Sequence, residues 1–165
     1  MSTQIYSENT RKILQNRKIL EKELKVKINL EIKNKIIIIE GKAEDELIAL
    51  EAIEAINLGF PISKVILLKN EEFTFRKLQI KAITKRHNLS QVRARVIGAK
   101  RKALDTIESL TDTFIALHNN DVGIIGKISD VQKAEYVLVR IIAGSKHANM
   151  YAWLEKKKAE EKRSF

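Results

Sequence analysis

Two stretches of the chain repeat one another. Residues 36–59 read IIIIEGKAEDELIALEAIEAINLG, and residues 122–144 read VGIIGKISDVQKAEYVLVRIIAG. In each, an apolar run ends in Gly-Lys, at Gly41-Lys42 and Gly126-Lys127. A second glycine, Gly59 or Gly144, follows the first by 18 residues in both copies. Between the glycines the apolar residues recur at helical spacing: Leu47, Leu50, Ile53 and Ile56 in one copy, Val131, Ala134, Val137, Leu138 and Ile141 in the other. A glycine just past the last periodic residue is a helix stop signal. Each copy therefore reads as strand then helix, and a chain of 165 residues built this way must hold two like units.

Working outward from the repeat completes the unit. A second strand, Thr113 to Leu117, is split from the later copy by His118-Asn119-Asn120-Asp121, and Val26 to Ile32 is split from Ile36–Ile39 by Lys33-Asn34-Lys35. Asn and Asp accept the left-handed backbone that a hairpin turn needs. Short helical patterns lie upstream, Arg17 to Leu24 and Arg101 to Leu110, and strands open each half near Gln4–Tyr6 and Phe73–Ile80. The reading is an α+β fold, β-α-α-β-β-α twice, with helices over one face of a three-stranded sheet in each copy. The segment GFPISKVILL, with the only proline at Pro61, fits a connecting helix. The expected division is a first domain over 1–58, a linker helix over 59–70, a second domain over 71–146 and a C-terminal helix over 147–165.

Charge narrows the function. The net charge is +10, and residues 73–104 contain no Asp or Glu while holding Arg76, Lys77, Lys81, Lys85, Arg86, Arg93, Arg95, Lys100, Arg101 and Lys102. An acid-free basic block on an otherwise balanced chain is the footprint of a polyanion partner. Cysteine is absent, which excludes disulfides and thiolate metal sites. No apolar run approaches the roughly 18 residues that cross a bilayer, and the polar start Met1-Ser2-Thr3-Gln4 lacks the signal-peptide pattern, so the expected location is cytoplasmic. His87, His118 and His147 are scattered and form no metal-binding helix pair. Asp105 and Glu108 share a helix face but read as ordinary surface carboxylates, so no enzyme is expected.

Within the basic block, residues 95–102 read RVIGAKRK. The pattern Ile-Gly-x-x between two helices of a β-α-α-β-β-α unit resembles a type I KH domain. More closely, RARVIGAKRKALDTIESLTDTFIAL, then VGIIG, then GSKHANMYAWLE, resemble the second KH domain of the archaeal and eukaryotic small-subunit ribosome-assembly proteins called Partner of Nob or Dim-two. The resemblance runs over nearly the whole chain and is most specific over residues 93–154. It implies an RNA clamp on the 3′ end of pre-16S or pre-18S ribosomal RNA. It also implies association with the Nob endonuclease and, in archaea, with the alpha subunit of translation initiation factor two, with no catalysis and no cofactor.

In a KH domain a Gly-x-x-Gly loop clamps the backbone of about four nucleotides. Its glycines let phosphate approach the main chain, and the opening N–H groups of the next helix face the anion. Carried onto this chain, Gly98 matches the first glycine, Ala99 and Lys100 the variable pair, and Arg101 stands where the second glycine belongs. The RNA-binding set implied is Arg93, Arg95, Val96, Ile97, Gly98, Ala99, Lys100, Arg101, Lys102 and Ile107, with Leu104 and Ile115 as further candidates for an apolar groove. Arg101 is open to two readings: a guanidinium contact to phosphate that replaces a backbone contact, or a block to close approach. The matching loop of the first unit, Leu14 to Lys18, has no glycine, so that unit reads as a degenerate KH domain with a structural or partner-binding role. The alternative function is a KH-fold protein-interaction scaffold with weak or lost RNA binding.

Overall fold

Alternating burial shapes each sheet. In the computed structural model, which describes residues 2–163, Ile37 and Ile39 are fully buried while Ile36 and Ile38 are half-buried on the opposite face, the period of two that a strand with one covered face requires. The chain divides into two compact units after Phe75.

The first unit runs β1 (Ser2–Tyr6), α1 (Thr10–Gln15), α2 (Arg17–Leu24), β2 (Lys27–Glu31), β3 (Ile36–Glu40) and α3 (Ala43–Asn57). Its strands lie in the order β1-β3-β2, with both pairs antiparallel and Ile38 opposite Gln4 on one side and Asn29 on the other. The start of α3 departs from the expected apolar stripe. Leu47 is exposed, whereas Glu46 is buried. The Glu46 carboxylate accepts the Gly41 N–H at 3.1 Å and the Thr3 hydroxyl at 3.1 Å, satisfying a backbone donor ahead of the helix as a capping glutamate does. The buried face is carried instead by Ala49, Ala52, Ile53, Ala55 and Ile56. Beyond it, Pro61 precedes α4 (Ile62–Val65), which continues as a tighter turn over Ile66–Lys69 and buries Val65 and Leu68. An ion pair from Lys69 to Glu23 ties this segment to α2.

The division falls within β4 (Phe73–Gln79), and the second unit runs on through α5 (Ile80–Ile83), α6 (Leu89–Ile97), α7 (Lys102–Thr111), β5 (Phe114–His118), β6 (Asp121–Lys127), α8 (Ile128–Ala143) and α9 (His147–Arg163). The strand order is β4-β6-β5, with β5 and β6 antiparallel. Ile80, expected as the end of a strand, opens a helical turn; its N–H donates to the carbonyl of Asn120 at 2.8 Å. The core joins Val92, Val96, Leu104, Ile107, Ile115, Ile124, Val131, Leu138 and Ile141 from both helices and sheet. Helix α9 belongs to this unit. Leu154 is buried in the same core, and Trp153 stacks on Tyr136 of α8 with ring centroids 4.4 Å apart.

Candidate nucleic-acid interface

The loop that the sequence singles out is built by three residues with positive φ, Gly98, Lys100 and Arg101. Asn88 caps α6, its side-chain oxygen accepting the Gln91 N–H at 3.2 Å. The helix ends at Gly98, with φ 76° and ψ 166°, a region essentially reserved for glycine. A Cβ there would sit 2.7 Å from the Ala103 nitrogen and 2.8 Å from the Ala103 Cβ. Gly98 is thus required twice, by its dihedrals and by the close passage of α7. Lys100 (φ 52°, ψ 35°) and Arg101 (φ 64°, ψ 16°) are both left-handed. The chain reverses between Gly98 and Arg101, and α7 starts at Lys102 with N–H groups that have no carbonyl partner within their own helix.

Arg101 takes up the left-handed backbone that favours glycine, at a cost of about 1–2 kcal/mol for an L-residue, and its side chain anchors it there. Nη1 donates to Glu108 Oε1 at 2.6 Å and to the Asp105 carboxylate, and Nη2 donates to the carbonyl of Ile115 at 2.6 Å. Glu108 Oε2 in turn accepts the Ile115 N–H at 2.8 Å. The hydrogen bond to Glu108 raises the Arg101 pKa above its ordinary value, against the effect of burial, and Asp105 adds to the rise. The charge that sequence offers to a phosphate is therefore spent on two carboxylates.

The remaining members of the expected set divide sharply. Ala99, Lys100 and Lys102 are exposed and Gly98 and Ile97 are half-buried around the turn; neither lysine has an ion-pair partner among the described residues. Both lysines line an open cleft of about 530 Å³ with Asp105, Thr106, Ser109, Leu110 and Glu155. Arg93 donates to the Asn120 side chain at 2.6 Å. Arg95 turns away altogether, with Nη1 on the carbonyl of Ile141 at 2.5 Å and Nη2 on those of Gly144 and Ser145. Val96 and Ile107 have no exposed surface, and Leu104 and Ile115 almost none, so they form the floor beneath the loop and present nothing to a base. Their apolar pattern carried core packing.

Sequence reasoning missed the anchoring of Arg101, although Asp105 and Glu108 stand four and seven residues ahead on one helix face. Lys81, Lys85 and Arg86, named in the basic block but not in the RNA-binding set, are exposed on α5 and the segment leading into α6. In the first unit the corresponding junction is Asn16, with φ −109°, and α1 passes to α2 without a left-handed residue. Arg17 there pairs with Glu21 at 3.6 Å and Lys12 donates to the Phe60 carbonyl at 2.9 Å. No phosphate-sized turn exists at that place.

A β-α-α-β-β-α unit, here with the short α5 added, whose glycine-bearing reversal joins α6 to α7 with the exposed cations Lys100 and Lys102 around it, defines a KH-type fold. Residues 74–159 match the family model for the second KH domain of PNO1, a eukaryotic type KH domain of type I, and the chain belongs to that family. A KH domain-containing protein of Methanocaldococcus jannaschii is 29% identical over 90% of this chain and 67% of its own length. The pre-rRNA-processing protein pno1 of Aspergillus fumigatus is 28% identical over 88% of this chain and 62% of its own length, so the chain spans a little under two thirds of that relative. Among solved structures, Dim2p from Pyrococcus horikoshii superposes with a TM-score of 0.84 at 23% identity, covering 94% of this chain and 99% of that one. The a/eIF2alpha–aDim2p–rRNA complex from the same organism gives 0.86 at 23% identity over 97% and 95%. At that identity the likeness is one of fold.

Proposed function

We propose that the second unit binds single-stranded ribosomal RNA and that the protein acts, in the cytoplasm, in maturation of the small ribosomal subunit, holding the 3′-end region of pre-16S RNA. The observation that carries the reading is the turn at Gly98: Gly98, Lys100 and Arg101 take up positive φ just ahead of α7, with Lys100 and Lys102 exposed beside it and without an ion-pair partner among the described residues. A phosphate there meets backbone donors, a helix N-terminus and two cations. Gly98, Ala99, Lys100 and Lys102 make the contacts, Ile97 borders them, and Arg93 is a secondary cation. The naming of relatives as pre-rRNA-processing proteins and the rRNA in the Pyrococcus complex support the choice of RNA. The same complex supports the alpha subunit of initiation factor two as a partner; the Nob endonuclease is a partner on the strength of the family resemblance. The protein contributes grip and placement, with no chemical step of its own.

Fluorescence anisotropy with a short single-stranded RNA, across a salt series, tests the grip. Wild type binds with an affinity that falls as salt rises, and Lys100→Glu/Lys102→Glu loses binding; equal affinity in both proteins overturns the reading. Crosslinking on small-subunit precursors tests the placement, with sites expected at the 3′ end of the RNA. A protein-interaction scaffold is the second reading, favoured by one observation: the Arg101 charge is already consumed inside the fold. Under that reading no RNA binds at physiological salt.

A further inference from the structure

Strand β5 lies at the edge of its sheet, bonded to β6 on one side only. An edge strand turns alternate N–H and C=O groups outward, where they stand ready to pair with an incoming strand or base. Ile115 supplies such a pair beside the glycine loop, and both groups are taken. Its N–H is bound by Glu108 at 2.8 Å and its carbonyl by Arg101 at 2.6 Å, while Arg101 and Glu108 are joined to each other at 2.6 Å. The three residues close a ring in which a side-chain donor and a side-chain acceptor cover a main-chain acceptor and donor.

Single-stranded RNA is read for sequence by hydrogen bonds to the exposed edges of its bases, and a neighbouring N–H and C=O is a complement to such an edge. A phosphate needs neither group. We propose that Arg101 and Glu108 form a plug over the Ile115 edge, so that the site grips the RNA backbone without reading bases at this position. Arg101 is then a specificity-determining residue that acts by occupation, and Glu108, ordinary surface by sequence, is its partner. The inference rests on RNA binding by the second unit.

The test is anisotropy with eight-nucleotide A, C and U homopolymers at fixed salt, for wild type, Arg101→Gly and Arg101→Gly/Glu108→Ala. It is paired with amide hydrogen exchange at Ile115. Wild type should hold the three RNAs within about twofold of one another. The double variant should exchange the Ile115 amide faster and separate the homopolymers by about tenfold, the discrimination one good base contact supplies. The single variant, which frees only the carbonyl, should lie between, and it serves if the double variant does not fold. Homopolymer affinities that stay together once the Ile115 amide is open sink the proposal, as does a wild type that already separates them tenfold. So does an Ile115 amide that exchanges no faster without the two side chains. Failure of every protein, wild type included, to bind any RNA overturns the RNA-binding function itself, which is a different result.

Discussion

The guanidinium of Arg95 on α6 donates to the main-chain carbonyl of Ile141 on α8 at 2.5 Å, and His147 Nε2 lies 2.9 Å from the carbonyl oxygen of Arg95 itself. One residue thus fastens the end of α8 and the start of α9 to the helix that leads into the glycine loop. Charged donors on terminal carbonyls satisfy the acceptors a helix leaves over and complement its dipole. Replacing Arg95 by Ala should lower the stability of the protein by about 1–3 kcal/mol, read as a lower unfolding midpoint. It should leave the salt slope of RNA binding unchanged, since this cation neutralises no phosphate. A slope reduced with stability intact would return Arg95 to the RNA site.

Gly98 tolerates no side chain. The Gly98→Ala variant carries a backbone strain of about 1–3 kcal/mol and an overlap with Ala103 that only a shift of α7 relieves. Thermal unfolding followed by circular dichroism should show the loss, and RNA affinity should fall with it as the helix opening moves. A variant as stable as wild type would show that the turn relaxes freely.

Lys100 and Lys102 are exposed cations without an ion-pair partner among the described residues, and substitution of either by Ala should alter stability by no more than about 0.5 kcal/mol. Each should reduce the slope of log affinity against log salt by about 0.7, the value for one phosphate on a single strand. Two slopes measured side by side check this directly, and an unaltered slope in both variants moves the RNA elsewhere.

Trp153 is the only tryptophan, and it sits between Tyr136 and the Lys157 ammonium, whose nitrogen is 5.5 Å from the indole centroid. Its fluorescence therefore reports on the docking of α9. Leu154→Ala removes the one fully buried side chain of that helix and should cost about 2–5 kcal/mol, with a red shift of the Trp153 emission as the indole meets water. An unshifted spectrum would mean that aromatic stacking alone holds the helix.

Much of this architecture is written in the repeat. Gly41 follows β3 and Gly126 is the next-to-last residue of β6, Gly59 and Gly144 stand just past α3 and α8, and Arg17 to Leu24 is α2 residue for residue. Glycine at a helix end and apolar periodicity are local signals, so they survive reading in isolation. The misplacements are tertiary. Leu47 yields its buried place to Glu46 because a donor waits at Gly41, Arg95 turns to the carbonyls of Ile141, Gly144 and Ser145 far along the chain, and Arg101, still partly exposed, folds back on Asp105, Glu108 and the Ile115 carbonyl. Charge in the sequence says that a cation exists; whether it faces solvent is settled by what folds beside it. Lys100 and Lys102 stay exposed although Asp105 and Glu155 line the same cleft, because Asp105 is taken by Arg101.

In each sheet the central strand is the last of the three along the chain: β3 between β1 and β2, β6 between β4 and β5. During synthesis the two earlier strands of a unit have nothing to bond to until the third leaves the ribosome. The first unit therefore closes its sheet when Ile36–Glu40 emerges, and the second waits for Asp121–Lys127, by which time the glycine turn has already been translated. Domains on a nascent chain fold from the N-terminus, so on this topology the sheet beneath the glycine turn can be complete only after Asp121–Lys127 has been made.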